Sequence, residues 1–317
     1  MKKLSFILVL FIIVSSFLSG CGQKEASNAK KDDNQLKVYT TVYPLQYFTQ
    51  QIGAEFVDVK TIYPPGADEH TFEPSQKDMI SLADADLFFY IGLGLEGFVD
   101  KAEQTLKNEG VKMLPVGDSL HLDGGNNDQA EETHSSDDGH GHGDINPHVW
   151  LDPIYANEIA LTIKNQLVEQ MPEHKDVLEK NYAELSAQLT DLDKEFTEVI
   201  RSADRKEIIV SHAAYSYWET RYGLKQINIS GLSTTNEPTQ QELQNLISHA
   251  KDAKIKYVLT EQNFNSKLAK MVQDEIGGKT LTLHNLSVLT DEDIKNNETY
   301  FTLMKKNIST LEKALNE

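Results

Sequence analysis

The sequence predicts an α/β fold of two similar βα lobes with mostly parallel sheets, joined by one long helix. Short apolar stretches alternate with helical stretches before residue 120, and the same alternation begins again after residue 204. Between them, residues 173–202 contain no Gly or Pro, and their apolar residues are mostly three or four positions apart. That spacing is typical of a single helix, which would be roughly 45 Å long and could connect two lobes.

The composition is that of a globular protein with an acidic surface. The chain has 317 residues, of which 39% are hydrophobic, so it is long enough for two domains. Its 49 acidic and 30 basic side chains give a formal net charge of -19. Because nucleic-acid binding needs a basic surface, we expect no nucleic-acid partner.

The N-terminus has the features of an export signal, predicted to span residues 1–20. Lys2 and Lys3 precede an apolar stretch, Leu4–Leu18, which is short for a membrane span. The sequence Leu-Ser-Gly-Cys that ends at Cys21 resembles a bacterial lipobox, which implies cleavage before Cys21 and its diacylation. The alternative is a generic signal peptide with an incidental cysteine. Residues 21–35 are polar and predict a flexible, lipid-anchored tether.

The first lobe is predicted to span residues 36–152. Ser75 is positioned to cap a helix that has Asp78 at its third position. The loop before that helix carries Glu69 and His70 and follows a strand, at the edge of a parallel sheet where ligands usually bind. The predicted strands are 36–42, 56–62, 86–91 and 111–116, and the other predicted helices begin near residue 47 and cover 98–108.

The rest of the chain is predicted as a helical connection, residues 153–203, followed by a second lobe, residues 204–317. The connection contains a helix over 154–170 and the long helix. The second lobe repeats the architecture of the first, without a detectable sequence repeat. Its predicted strands are 207–210, 226–229, 255–259 and 280–284, and its predicted helices are 239–252, 266–276 and 300–315.

An acidic, histidine-rich loop is predicted over about residues 121–144. His134, His140 and His142 lie there among acids and glycines, with no basic residue between Glu131 and Asp144. Neutral imidazoles are good ligands for zinc and similar divalent metals, and the glycines predict a mobile segment. The alternative is a solvated loop without function. Since Cys21 is the only cysteine, any metal site in the fold must use His, Asp or Glu.

Three other histidines, His70, His148 and His212, lie in or beside predicted loops far apart in the sequence. No local motif such as His-Glu-x-x-His links them, so they can meet only in a cleft between the lobes. Three imidazoles would leave one zinc position for a carboxylate or water. His174 and His249 lie in helical stretches and are expected at the surface.

Several longer stretches carry a family resemblance in addition to the histidine-rich loop. They are Gly66–Pro74 (GADEHTFEP), Asn146–Pro153 (NPHVWLDP), Ser211–Tyr215 (SHAAY), Gly231–Ser233 (GLS), Asn236–Pro238 (NEP) and Thr260–Phe264 (TEQNF). Across nearly the whole mature chain, the sequence resembles the zinc-type solute-binding lipoproteins of bacterial ABC metal importers. The resemblance implies a rigid linker helix and one metal in the interlobe cleft, with His70, His148 and His212 as ligands. A third imidazole at His212 favours zinc over manganese.

The fourth ligand departs from the family pattern. Many relatives supply Asp or Glu at the position of Ser287, whose hydroxyl is a poor zinc ligand. We therefore expect Glu69 or water in that place, with His284 and Asp291 as less favoured candidates. Asp152 and Glu261 are expected to orient the ligating imidazoles or to serve a structural role.

These features predict a lipid-anchored protein on the outer face of the cytoplasmic membrane. It would act as a monomer that captures Zn²⁺ and delivers it to an ABC permease with its ATPase. Since an imidazole binds metal only after losing its proton, zinc affinity should fall as pH falls. The alternatives are a manganese-binding protein of the same fold and an exported zinc hydrolase, because three His and an open position can activate water. An adhesin role could coexist with transport.

Overall fold

A computed structural model describes residues 35–122, 145–263 and 266–317 of the chain. These residues contain two four-stranded parallel sheets and one long helix, as the sequence predicts. The predicted signal peptide, Cys21, nearly all of the tether, and His134, His140 and His142 lie outside the described residues. Within the described residues, none of the helices has both the length and the apolar composition needed to cross a membrane.

The first sheet has the strand order β2-β1-β3-β4, and all neighbouring pairs are parallel. Ser75 caps the helix Gln76–Ala83 through a capping box with Asp78. Parallel order places the loops that follow the strands at one edge of the sheet. The strands are β1 (Leu36–Thr40), β2 (Val57–Thr61), β3 (Leu87–Tyr90) and β4 (Lys112–Pro115), and the helices are α1 (Tyr43–Gly53), α2 (Gln76–Ala83) and α3 (Val99–Leu106).

The second sheet repeats this order as β6-β5-β7-β8, again with parallel pairs. The strand that bears His212 therefore corresponds in position to β1 of the first sheet. The strands are β5 (Glu207–His212), β6 (Lys225–Ser230), β7 (Tyr257–Thr260) and β8 (Lys279–Thr282). The helices that precede, join and follow these strands are α4 (Pro153–Gln170), α5 (Lys175–Ser202), α6 (Ser216–Tyr222), α7 (Gln240–Asp252), α8 (Lys267–Ile276), α9 (Asp291–Lys295) and α10 (Tyr300–Asn316).

Helix α5 is the long helix that the periodicity predicts. Its 28 residues correspond to a length of about 42 Å. It packs against α1, α4 and α10, which fixes it along both halves of the fold. It begins at Lys175 because Pro172–His174 forms a separate 3-10 turn. Its buried face consists of Leu178, Leu185, Leu189, Leu192, Phe196 and Ile200.

Many element boundaries differ from the sequence prediction by one or two residues, and three differences are notable. Helix α1 begins at Tyr43, because Pro44 is well suited to the first turn of a helix. Strand β5 extends to His212, which is therefore the last residue of a strand rather than part of the following loop. Strand β8 ends at Thr282, so His284 lies beyond it.

The short segment from His148 to Asp152 connects the two halves of the fold. Trp150 is fully buried, and its indole N–H donates to the carbonyl of Asn285 at 2.7 Å. Trp218 donates in turn to the carbonyl of Leu151 at 2.8 Å. Because these bonds join residues more than 60 positions apart, they fix His148 between the lobes.

Asp152 anchors the same segment through two kinds of contact. Its side chain caps the N-terminus of α4 by accepting from the backbone N–H groups of Ile154 and Tyr155. It also accepts a hydrogen bond from Nε of Arg221 on α6. The Asp152 carboxylate is buried, whereas the Arg221 side chain is 24% exposed. The ion pair therefore compensates a charge that has little access to water.

We expect Arg221→Ala to lower the free energy of unfolding by about 3 kcal/mol, because it leaves the buried Asp152 carboxylate without its cation. Chemical denaturation monitored by circular dichroism measures this difference. The matched control is Arg201→Ala at an exposed position, which should cost less than about 1 kcal/mol. Equal losses in the two variants would contradict an anchoring role for the pair.

Candidate metal centre

The structure brings together four side chains that could hold one metal ion. The ligand atoms of Glu69, His70, His148 and His212 all lie within 4.8 Å of one another. Glu69, His148 and His212 are buried and His70 is partly buried. This cluster contains the three histidines that the sequence analysis selects, and Glu69 is the acidic residue among them.

Glu69 and His70 lie in the loop that follows β2. Asp68 stabilises this loop, since its Oδ1 accepts from the backbone N–H of His70 at 2.9 Å. Its Oδ2 accepts from the hydroxyl of Thr234, in the second lobe, at 2.8 Å. The amide of Asn263 also donates to the carbonyl of Ala67 at 2.8 Å. The ligand-bearing loop is thus hydrogen-bonded to the opposite lobe.

His148 is held in one tautomer by Asn146. The Asn146 Oδ1 lies 2.7 Å from His148 Nδ1 and accepts from the His148 backbone N–H at 3.0 Å. The amide nitrogen of Asn146 donates to Ser216 Oγ at 2.7 Å, which identifies Oδ1 as the acceptor. Nδ1 of His148 therefore carries the proton, and the lone pair of Nε2 is directed into the cluster.

His212 is oriented in the same way by a carboxylate. Its Nδ1 lies 2.6 Å from Glu261 Oε1, so that nitrogen carries the proton and Nε2 is available as a ligand. The Nε2 atoms of His212 and His148 are 3.2 Å apart. Two nitrogens bound to one tetrahedral zinc lie about 3.3 Å apart, given Zn–N distances of 2.0–2.1 Å. This pair already has the spacing of two zinc ligands.

Glu69 contributes the carboxylate of the cluster. Its Oε1 lies 3.9 Å from His148 Nε2. The same oxygen accepts from the Asn285 amide at 3.0 Å, and Oε2 accepts from the Ser287 hydroxyl at 2.9 Å. Burial and the nearby Glu261 carboxylate raise the pKa of Glu69 to about 7. Glu69 could therefore bind a metal ion through its carboxylate, in competition with a proton near neutral pH.

Two of the three imidazoles, those of His70 and His148, are held in the neutral form that metal binding requires. Burial and the neighbouring His212 lower the pKa of His70 to about 4, and burial also lowers the pKa of His148 well below its ordinary value. Burial opposes a charge on His212 as well, but the Glu261 carboxylate outweighs it and raises the His212 pKa. Nε2 of His70 is buried and has no hydrogen-bond partner within the described residues. A buried lone pair without a donor favours a cation.

The geometry separates the other candidate residues from this cluster. The Ser287 hydroxyl donates to Glu69 Oε2 at 2.9 Å, so its proton is directed at that carboxylate. His284 Nε2 lies 3.2 Å from Asp293 Oδ2, and its Nδ1 accepts from the backbone N–H of Leu286. Asp291 is exposed in the first turn of α9. Neither His284 nor Asp291 lies in the cluster with the three histidines in the described part of the chain.

The two carboxylates expected outside the ligand set have different roles. Glu261 lies against His212, as expected of a group that orients an imidazole. Asp152 has the structural role instead, because its hydrogen bonds run to the N-terminus of α4 and to Arg221.

Sequence reasoning did not select Asn146 or Asn285. Asn146 belongs to a stretch that matches the family, whereas Asn285 has no local signal.

The chain is similar to known zinc-uptake proteins. A family model described as ZnuA, zinc-uptake complex component A, periplasmic, matches residues 38–314. The high-affinity zinc uptake system protein ZnuA of Bacillus subtilis is 35% identical over 309 residues, which are 96% of this chain and 97% of that protein.

Streptococcus pneumoniae provides a second relative and a solved structure. The zinc-binding lipoprotein AdcA is 36% identical over 318 residues, covering 100% of this chain and 62% of AdcA. The chain therefore spans less than two thirds of AdcA. The crystal structure of the Zn(II)-bound ZnuA-like domain of AdcA matches with a TM-score of 0.74 at 34% identity, covering 89% of this chain and 100% of that domain.

We expect His70→Ala, His148→Ala and His212→Ala each to weaken Zn²⁺ binding by more than about 100-fold. Loss of a direct ligand should exceed the 10- to 100-fold effects typical of groups that only orient ligands. Competition with a chelating indicator measures the affinity. The control is His249→Ala, since His249 is 46% exposed and pairs with Glu207. Wild-type affinity in one of the three variants would remove that histidine from the ligand set.

We also expect Zn²⁺ affinity to fall as pH decreases below about 7, by up to about tenfold per pH unit. Below the raised pKa of Glu69, a proton occupies the carboxylate and must leave before the metal binds. Titration calorimetry in buffers of different ionisation enthalpy counts the protons released. Glu69→Gln should release fewer protons and show a shallower pH dependence than the wild type. Identical proton release would show that Glu69 is not the titrating ligand.

Proposed function

The chain belongs to the ZnuA family of zinc-uptake complex components, and we propose that it captures Zn²⁺ outside the cytoplasm and delivers it to an ABC permease. The observation that carries this proposal is the buried cluster of Glu69, His70, His148 and His212. Members of the family are solute-binding proteins rather than enzymes, which argues against the zinc hydrolase considered above. Zinc is the cargo of such a protein, and it leaves the chain unchanged.

Zinc is the metal that this donor set suits best. Three neutral imidazoles and one carboxylate are typical zinc ligands in a tetrahedral arrangement. A manganese site would be richer in oxygen. The relatives reported above carry zinc in their names or in their crystal structure. We therefore favour zinc over the manganese-binding alternative.

An extracytoplasmic location follows from the family and from the lipoprotein relatives. Beyond this location, we propose that residues 1–20 are removed and that Cys21 is diacylated. The lipid would hold the protein on the outer face of the cytoplasmic membrane, close to the permease. The lipobox-like sequence before Cys21 supports this anchor.

ZnuA proteins work with a permease and an ATPase, and we propose that this chain supplies such a pair as a monomer. His134, His140 and His142 would raise the local concentration of Zn²⁺ without forming the main site. Delivery requires that a buried site open. Because α5 packs along both halves of the fold, we propose a local movement of the loops around His70 rather than a wide closure of the lobes.

We expect titration of the metal-free mature protein to show one tight Zn²⁺ site per chain, with a preference for Zn²⁺ over Mn²⁺. Deletion of residues 123–144 should remove weaker sites and leave the tight site, whereas His148→Ala should do the opposite. Competitive titration with metal counted per chain measures both quantities. A preference for Mn²⁺ would overturn the zinc assignment, and loss of the tight site on deletion would move it to the histidine-rich loop.

A further inference from the structure

We propose that Asn285, together with Ser287, is the positioning residue that makes Glu69 the fourth zinc ligand. The inference rests on the proposed zinc-binding function and assigns a role to two residues that do not bind the metal. Asn285 and Ser287 lie between β8 and α9, more than 200 positions from Glu69 in the sequence. They nevertheless contact both of its carboxylate oxygens.

A single amide group links the two buried carboxylates of the centre. Asn285 Nδ2 donates to Glu69 Oε1 at 3.0 Å and to Glu261 Oε2 at 3.0 Å. Glu261 in turn holds His212 through its other oxygen. Asn285 thus fixes the Glu69 carboxylate, which faces the metal, relative to the Glu261 carboxylate, which orients His212.

The orientation of the Asn285 amide follows from its neighbours. Its Oδ1 accepts from the side-chain amide of Gln262 at 2.8 Å and from the backbone N–H of Ser287 at 3.0 Å. The Asn285 oxygen therefore faces N–H groups, and the Asn285 nitrogen faces carboxylate oxygens. Exchanging the two atoms would break all of these contacts, so only one amide orientation is possible. The Asn285 backbone is held as well, since its carbonyl accepts from Trp150. The amide is therefore a rigid donor.

The carboxylates need such a donor because they repel one another. Glu69 and Glu261 are both buried, and the same Asn285 amide nitrogen lies 3.0 Å from an oxygen of each. Hydrogen bonds to the charged form offset this repulsion. Without the amide, Glu69 is free to rotate away from the histidines. The Ser287 hydroxyl stabilises the second oxygen and limits the same rotation.

Cobalt substitution tests the proposal, because the visible absorption of Co²⁺ depends on its ligands and geometry. Wild-type protein and Glu69→Gln provide the spectra with and without the carboxylate ligand. We expect Asn285→Leu to shift the Co²⁺ spectrum toward that of Glu69→Gln and to weaken Zn²⁺ binding by about 10- to 100-fold. Ser287→Ala, which removes one hydroxyl, should shift the spectrum in the same direction with a loss of about tenfold.

The matched control is Asn181→Leu, which removes an amide that donates to the carbonyl of Ile52 on the far side of the first lobe. It should change the thermal stability of the metal-free protein without changing the Co²⁺ spectrum. Wild-type spectra and affinities in Asn285→Leu and Ser287→Ala would overturn the inference. If Asn285→Leu does not fold, Ser287→Ala decides the result alone. Failure of the wild-type protein to bind Zn²⁺ tightly would instead refute the proposed function.

Discussion

The metal centre depends on two imidazole nitrogens that face each other inside the protein. His148 and His212 present their Nε2 atoms at 3.2 Å, and each ring has its other nitrogen occupied by Asn146 or Glu261. In the absence of a metal, one proton between these two nitrogens forms a hydrogen bond, and a metal ion that binds both nitrogens must displace that proton. The surrounding fold must hold both rings in place. The buried segment around Trp150 and the hydrogen bonds across the lobes provide that support.

The duplicated architecture explains how distant residues reach one point. Each sheet places the loops after its strands at one edge, and His70 and His212 occupy such positions after β2 and at the end of β5. His148 comes from the segment that joins the first sheet to α4. Helix α5 packs along both halves and restricts their relative motion. The ligands are therefore preorganised by rigid elements, with the loop around His70 as the most accessible side.

Most of the fold and part of the site could be predicted from the sequence. Periodicity located the strands and α5, and the family resemblance selected His70, His148 and His212. The missing information concerned contacts between residues far apart in the chain. No local pattern shows that Asn285 contacts Glu69, or that Ser287 turns its hydroxyl toward the same carboxylate. The choice between the two roles of Asp152 also depended on Arg221, which lies on another helix.

The two buried carboxylates, those of Glu69 and Glu261, also bear on the charge of the ion that the centre binds. A divalent ion carries as many positive charges as the centre has buried carboxylates, which are those of Glu69 and Glu261. A monovalent or a trivalent ion does not match this number, and an unbalanced charge is costly to bury where Glu69 and Glu261 are 3% and 6% exposed. We therefore expect the scaffold to favour divalent ions, whatever their size and preferred ligands. The arrangement of the ligand atoms then has to distinguish one divalent ion from another.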